Sequence, residues 1–191
     1  MLRTLLAAAI AATAVFVWGF LYWAVLPIGE SAVRGAPNGT ALQQSLDQLL
    51  PESGSYVVPF SDNPDSDTAY HKAHSQGPLA LVHFRKAGAE PMAPGVLLRG
   101  WIHGFVSMLV MALVLVLSVS SQGFAARFIV AFGAGVAGSV FSRLGEPVWW
   151  YQPWSYASTQ FTYEIVAWLL GAIVLALMIR PRVARPSPTQ L

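Results

Sequence analysis

Residues 143–164 read RLGEPVWWYQPWSYASTQFTYE. Trp149, Trp150, Trp154, Tyr151, Tyr156 and Tyr163 are crowded here with two acids and one arginine, between two apolar runs. Trp and Tyr concentrate where lipid meets water, because their rings are apolar and their N–H or O–H is not. The stretch therefore reads as an interfacial aromatic loop, residues 145–159, joining two membrane-spanning segments, and Trp101 falls in the same belt. Pro147 and Pro153 make the loop stiff and partly embedded. The competing reading of these rings is a groove for an apolar ligand such as a lipid, quinone, isoprenoid or pigment.

Working outward, residues 126–144 form the third spanning segment and residues 160–180 the fourth. The apolar run of the third is short for a bilayer, so Arg143 is placed to snorkel from its end. Residues 100–121 form the second segment, with Arg99 and Trp101 at its outer end. Residues 4–26 are an uncharged run of 23, enough to cross a hydrocarbon core of about 30 Å. A cleaved signal peptide is the alternative there. Its apolar region would be only ~7–15 residues, whereas this run continues through Phe20, Tyr22 and Trp23 to Pro27 with no small-x-small cleavage site. The first transmembrane unit is thus residues 1–28.

Residues 29–99 are different material, holding seven of the nine acids and three of the four histidines. Thr40 is positioned to cap an amphipathic helix over 41–50, with Leu42, Leu46, Leu49 and Leu50 on one side. Residues 56–60 and 79–84 have strand character, and 68–75 one or two helical turns. Two strands alone are marginal in water, so this α-β-α-β segment is expected to pack on the membrane part or on a partner. The expected fold is a membrane all-α protein of four transmembrane helices, with a small α+β extracytoplasmic domain inserted between the first and second.

Composition supports that class. Of 191 residues, 55% are hydrophobic and 10% charged, against about 25% charged in ordinary soluble domains. Mean hydropathy is +0.54. The absence of cysteine excludes disulfides, thiolate catalysis and Cys-based metal sites. Net charge is only +2, and Arg3, Arg127, Arg180, Arg182 and Arg185 all fall on one side of the threading with no acid among them. That is the positive-inside pattern rather than a nucleic-acid surface. It puts both termini and the basic tail, 181–191, in the cytoplasm, and residues 29–99 in the periplasm or outside the cell.

Three groups of residues are site candidates. Glu164 lies about one turn inside the fourth segment, where a lone carboxylate costs a few kcal/mol. Arg143 and His103 fall at similar depth, and Glu146 and Arg99 are near enough to join from the interface. The cluster reads either as an Arg143–Glu164 bridge that locks helices, or as a polar pocket handling a proton, an ion or a head group. Asp67, His71 and His74 share a helical face that fits a metal, with His83 as a further ligand, but a solvated polar face explains them as well. In AFGAGVAGSVFSR, Ala131, Gly135 and Ser139 recur at steps of four, as do Ala134, Gly138 and Ser142, which allows close helix packing or a dimer face. No phosphate loop, nucleophile elbow or HExxH is present, and His103 is the only histidine on a spanning segment for a haem to use. No cofactor is implied.

The stretches WGFLYWAVLPIGE, GPLALVHFRKAGAEPMAP and EPVWWYQPWSYA together resemble a group of small bacterial inner-membrane proteins. The resemblance spans most of the chain and implies a bacterial source; it carries no activity to any residue. The expected function is non-enzymatic: an accessory, assembly or stabilising subunit of a membrane complex, in contact with lipid and a protein partner. The alternative is a small transporter or membrane enzyme working at the polar cluster.

Overall fold

The computed structural model describes residues 1–179, so the arginines of the tail, from Arg180 onward, lie outside the described residues. Four helices are long and apolar enough to cross a membrane. They are α1 (Leu2–Phe20, continued by a π-helical turn, Leu21–Val25), α4 (Pro94–Ser118), α5 (Phe124–Arg143) and α7 (Trp154–Met178). A four-residue helix, α6 (Glu146–Trp149), follows α5. Between α1 and α4 lie a 3₁₀ turn (Glu30–Ala32), α2 (Gly39–Leu49), β1 (Gly54–Val58), α3 (Thr68–Gln76) and β2 (Ala80–Phe84).

Hydropathy marks the length of chain that fits lipid, and helices need not stop there. Thus α4 begins at Pro94, where the fixed φ suits a first helical turn and the missing N–H is harmless. Likewise α7 begins at Trp154, directly after Pro153, so Trp154 and Tyr156 are helical rather than part of a loop. The rest of the 145–159 stretch is α6 and a short extended link in which Tyr151 takes a positive φ of 55°.

The long helices stand in the spatial order α4, α1, α7, α5, while α4 and α5 barely touch. Small side chains set this order. Ala7, Ala8, Ala11 and Ala12 of α1 are fully buried, as are Leu115 of α4 and Leu175 and Ala176 of α7. Ala131, Gly135 and Ser139 are the buried stripe of α5. Where apolar side chains gain nothing by leaving lipid, such close approach and its dispersion contacts are what hold helices together. The core cluster gathers Ala7, Ala8, Leu115, Leu175 and Ile179, all from the end of the bundle that carries the chain's start. Arg127, 6% exposed, completes that end. Its Nε donates to the Ala176 carbonyl at 3.0 Å and its Nη1 donates to the Gln122 carbonyl. The cation satisfies a carbonyl in the last turn of α7, at that helix's negative end, and one in the turn before α5.

The bundle is therefore tight at one end, and at the other it splays on the α4–α5 side. Across α1 and α7 the splayed end is held by aromatics. Tyr22, 1% exposed, donates its hydroxyl to the Thr159 carbonyl at 2.9 Å, and Trp18 Nε1 donates to the Tyr163 carbonyl at 3.1 Å.

The intervening segment is a small antiparallel sheet with helices. β1 and β2 pair from Gly54 opposite Phe84 to Val58 opposite Ala80, with α3 between them in sequence. Asn38, not Thr40, caps α2: its Oδ1 accepts from Ala41 N at 3.1 Å. Lys86 ties the end of α2 to the sheet, reaching the Asp47 carboxylate at 3.1 Å and the Asp47 and Leu50 carbonyls. Gly77 ends α3 with φ of 71°, a conformation that costs other residues a Cβ clash.

Candidate functional site

The splayed end holds a cleft of about 650 Å³, inside the roughly 300–1,000 Å³ range of ligand pockets. Its two sides are α4 (His103, Gly104, Ser107) and α5 (Gly138, Ser139, Ser142), and its back is α1 and α7. Phe16, Phe20, Trp23 and Trp168 give it apolar walls, and Arg143 with Glu164 gives it a charged end. The cleft exists because α5 has two small-residue stripes and uses one of them. Ala131, Gly135 and Ser139 are buried, with Ser139 at the cleft's edge, whereas Gly138 and Ser142 of the second stripe line the open space.

Arg143 Nε donates to Glu164 Oε1 at 2.6 Å, a charge-assisted bond across α5 and α7. The side chains are 38% and 19% exposed. Antiparallel threading puts the last residue of α5 level with the eleventh of α7, so the two meet without either leaving its helix. The pair uses one guanidinium nitrogen and one carboxylate oxygen. The terminal nitrogens of Arg143 and Oε2 of Glu164 make no hydrogen bond among the described residues. His103 lines the same cleft from α4 but does not bond to the pair. Ser139 is 2% exposed, and its Oγ has no hydrogen-bond partner among the described residues. A buried polar atom of this kind costs about 1–3 kcal/mol unless water or a ligand meets it.

Behind the ion pair lies a second cavity of about 330 Å³. Trp23, Tyr156, Gln160 and Tyr163 line it together with Arg143 and Glu164. Gln160 Oε1 is buried there without a partner among the described residues. Neither Gln160 nor Ser139 stands out in the sequence as a site residue. The available signal is spacing: Gln160 precedes Glu164 by four, which puts both on one helical face, and Ser139 belongs to the small-residue stripe.

The remaining candidates sit elsewhere. Glu146 is in the first turn of α6, half-buried, and does not line either cavity; neither does Arg99. Trp101 is drawn into the helix packing: its Nε1 donates to Thr13 Oγ1 at 3.1 Å and its ring stacks on Phe105 at 5.5 Å. Trp149, Trp150 and Trp154 are exposed. The first two, with Tyr151, form one wall of a groove of about 240 Å³ whose other wall is Val57, Pro59 and Leu81 of the sheet segment. There His74 meets Tyr151 edge-on at 6.0 Å and Tyr70 at 5.6 Å, so it joins the small segment to the aromatic turn.

Asp67 is the N-cap of α3. Its Oδ1 accepts from Tyr70 N at 2.9 Å and its Oδ2 accepts from the Ser61 hydroxyl at 2.8 Å. The Tyr70 N–H first, then the Ser61 hydroxyl, hold its carboxyl below the usual carboxylate range. His71 packs beside Tyr70 at 5.8 Å, and His83 Nδ1 pairs with Ser55 Oγ at 2.8 Å across the sheet. Among the described residues no three His, Cys, Asp or Glu side chains are grouped to hold a metal ion.

Comparison with protein-family models, with curated proteins and with solved structures finds no match for this chain.

Proposed function

We propose that this chain is a multi-pass protein of the bacterial inner membrane that binds a membrane-soluble amphiphile in the cleft between α4 and α5. The apolar part of the ligand lies along Phe16, Phe20 and Trp168, and its polar end meets Arg143, Glu164, His103 and Ser139. One observation carries the reading: a large apolar cleft, open between two helices, ends on an ion pair with unused bonding capacity and a buried hydroxyl without a partner. A structural bridge alone calls for no cavity beside it. No constellation for bond-breaking chemistry accompanies the cleft, so binding, presentation or movement of the ligand is the proposed role.

The accessory-subunit reading rests on a different surface. No residue of α2 is buried, and Leu42 and Leu49 on its apolar side are 49% and 75% exposed. Such a face fits a protein partner, in keeping with a subunit of a membrane complex. Purification from native membranes in mild detergent, read by native mass spectrometry, tests both readings. Lipid held in a fixed ratio, and lost in Gly104→Trp, is the expected result. Gly104 lines the cleft and a Cβ added there meets nothing within 4 Å, so an indole at this position grows into the ligand space. A protein partner lost on Leu42→Ser/Leu49→Ser supports the second reading. Absence of bound lipid in the unaltered protein counts against the cleft.

The proposed orientation has both termini in the cytoplasm and residues 29–99 in the periplasm or outside the cell. A phosphatase reporter fused after Ser61 is expected to be active and one fused after Gln122 silent. The opposite pattern overturns the orientation and moves the cleft to the cytoplasmic leaflet.

A further inference from the structure

We propose that the smaller cavity behind the ion pair receives the primary ammonium of a phosphoethanolamine head group, belonging to a lipid whose chain lies in the α4–α5 cleft. The inference rests on the reading of the cleft as an amphiphile site and adds the identity of the head group.

The walls of the small cavity are suited to a cation. Trp23, Tyr156 and Tyr163 present aromatic rings to it, and the faces of such rings attract positive charge. Two acceptors among its lining residues lack donors, while Arg143 offers donors from the same wall. Gln160 Oε1 is buried without a partner among the described residues, and Glu164 has one oxygen bonded and one open. An ammonium with three N–H groups satisfies both acceptors, whereas a quaternary ammonium has no N–H to offer.

Arg143 supplies the complementary half. It binds Glu164 through Nε, and its terminal nitrogens make no hydrogen bond among the described residues. Those nitrogens are the planar donors that phosphate oxygens prefer. Trp23, Arg143, Tyr163 and Glu164 line both cavities, so one ligand can lie in the cleft and extend its head across the ion pair. The charges also balance. Arg143 and Glu164 together carry none, and a zwitterionic head leaves the site neutral. An anionic head such as phosphatidylglycerol would set surplus negative charge beside Glu164, in surroundings where unbalanced charge is costly.

The test uses the full chain, delipidated in detergent. Short-chain phosphatidylethanolamine, phosphatidylcholine and phosphatidylglycerol are titrated separately, with tryptophan fluorescence as the readout because Trp23 and Trp168 line the cleft. Phosphatidylethanolamine is expected to bind about tenfold more tightly than the other two. Gln160→Leu should remove most of that preference, bringing phosphatidylethanolamine binding down to the level of phosphatidylcholine in the same variant. Free O-phosphoethanolamine at the same concentration should not compete. Equal binding of the three lipids overturns the head-group assignment and leaves the cleft reading standing. Equal preference for ethanolamine and choline heads overturns the need for N–H donors, and with it the proposal. Competition by the free head group reassigns the cavity to a soluble amine. Binding of none of the lipids overturns the cleft reading and this inference together.

Discussion

Gly135→Ala is expected to lower the stability of the bundle by about 3 kcal/mol, the upper part of the usual range for overpacking. In a protein of this size that is a fall in melting temperature of roughly 6–12 °C. A Cβ on Gly135 would land within the indole of Trp168, against Cγ and Cδ2 at the root of the ring. The clash is relieved only by moving the whole indole, which packs against the core cluster and borders the cleft. The added methyl must therefore displace the indole from its place against the core or push the two helices apart. Two other glycines calibrate the effect. At Gly171 the new Cβ would lie 2.6 Å from Met108 Sδ, a thioether that adjusts by rotating, so the expected cost is about 1 kcal/mol. At Gly133 nothing lies within 4 Å, and the higher helix propensity of alanine should stabilise slightly, by about 0.5–1 kcal/mol. Melts of the three variants in one detergent should rank Gly135 far below Gly171, with Gly133 at or above the unaltered protein. Equal melts would mean that α5 and α7 do not pack through Gly135. Restoration of the Gly135→Ala melt by Trp168→Leu would locate the clash.

The same contact explains why some features can be read in the sequence and others cannot. Long apolar runs are decided by local composition, so four candidate spans are legible, and so is the approach of Arg143 to Glu164, which needs only depth along antiparallel helices. Small residues at steps of four tell that α5 packs closely against something. They do not tell which of its two stripes is used. That choice depends on the Trp168 indole settling over Gly135 and on Trp101 bonding to Thr13, which draws α4 toward α1 and away from α5. Both are contacts between residues far apart in sequence. The cleft is the space left over, so no run of residues encodes it. Trp101 illustrates the limit: by position it belongs to an aromatic belt, but its N–H bonds to Thr13 on the neighbouring helix α1. Asp67 shows the opposite, since an Asp directly before a helical run is already a cap signal in the sequence, and its Oδ1 caps α3 while its Oδ2 holds the Ser61 hydroxyl.

The ion pair at the cleft gives the second large effect. Glu164→Gln should lower the melting temperature of the delipidated protein by roughly 4–8 °C, equivalent to about 2 kcal/mol. Removing one partner of a fully buried pair costs about 3–5 kcal/mol, because the other charge is left behind. Glu164 is 19% exposed and close to that limit, but Arg143 is 38% exposed and borders open space, which lets its guanidinium find water and reduces the loss. The penalty comes from the stranded arginine more than from the missing bond. Arg143→Met in the same chain should therefore restore most of the melt, since a neutral side chain of similar length leaves nothing unpaired. Arg143→Met alone should be less damaging than Glu164→Gln, because a stranded guanidinium cannot shed its charge. A coupling of about 1–2 kcal/mol in this double-mutant cycle identifies the pair as direct and stabilising. Additive changes would show that the two side chains do not act as a pair. Lipid titration of the double variant completes the argument. If the pair only joins helices, the rescued protein binds lipid as the unaltered one does. If the cleft works as proposed, the double variant melts normally and has lost its head-group preference.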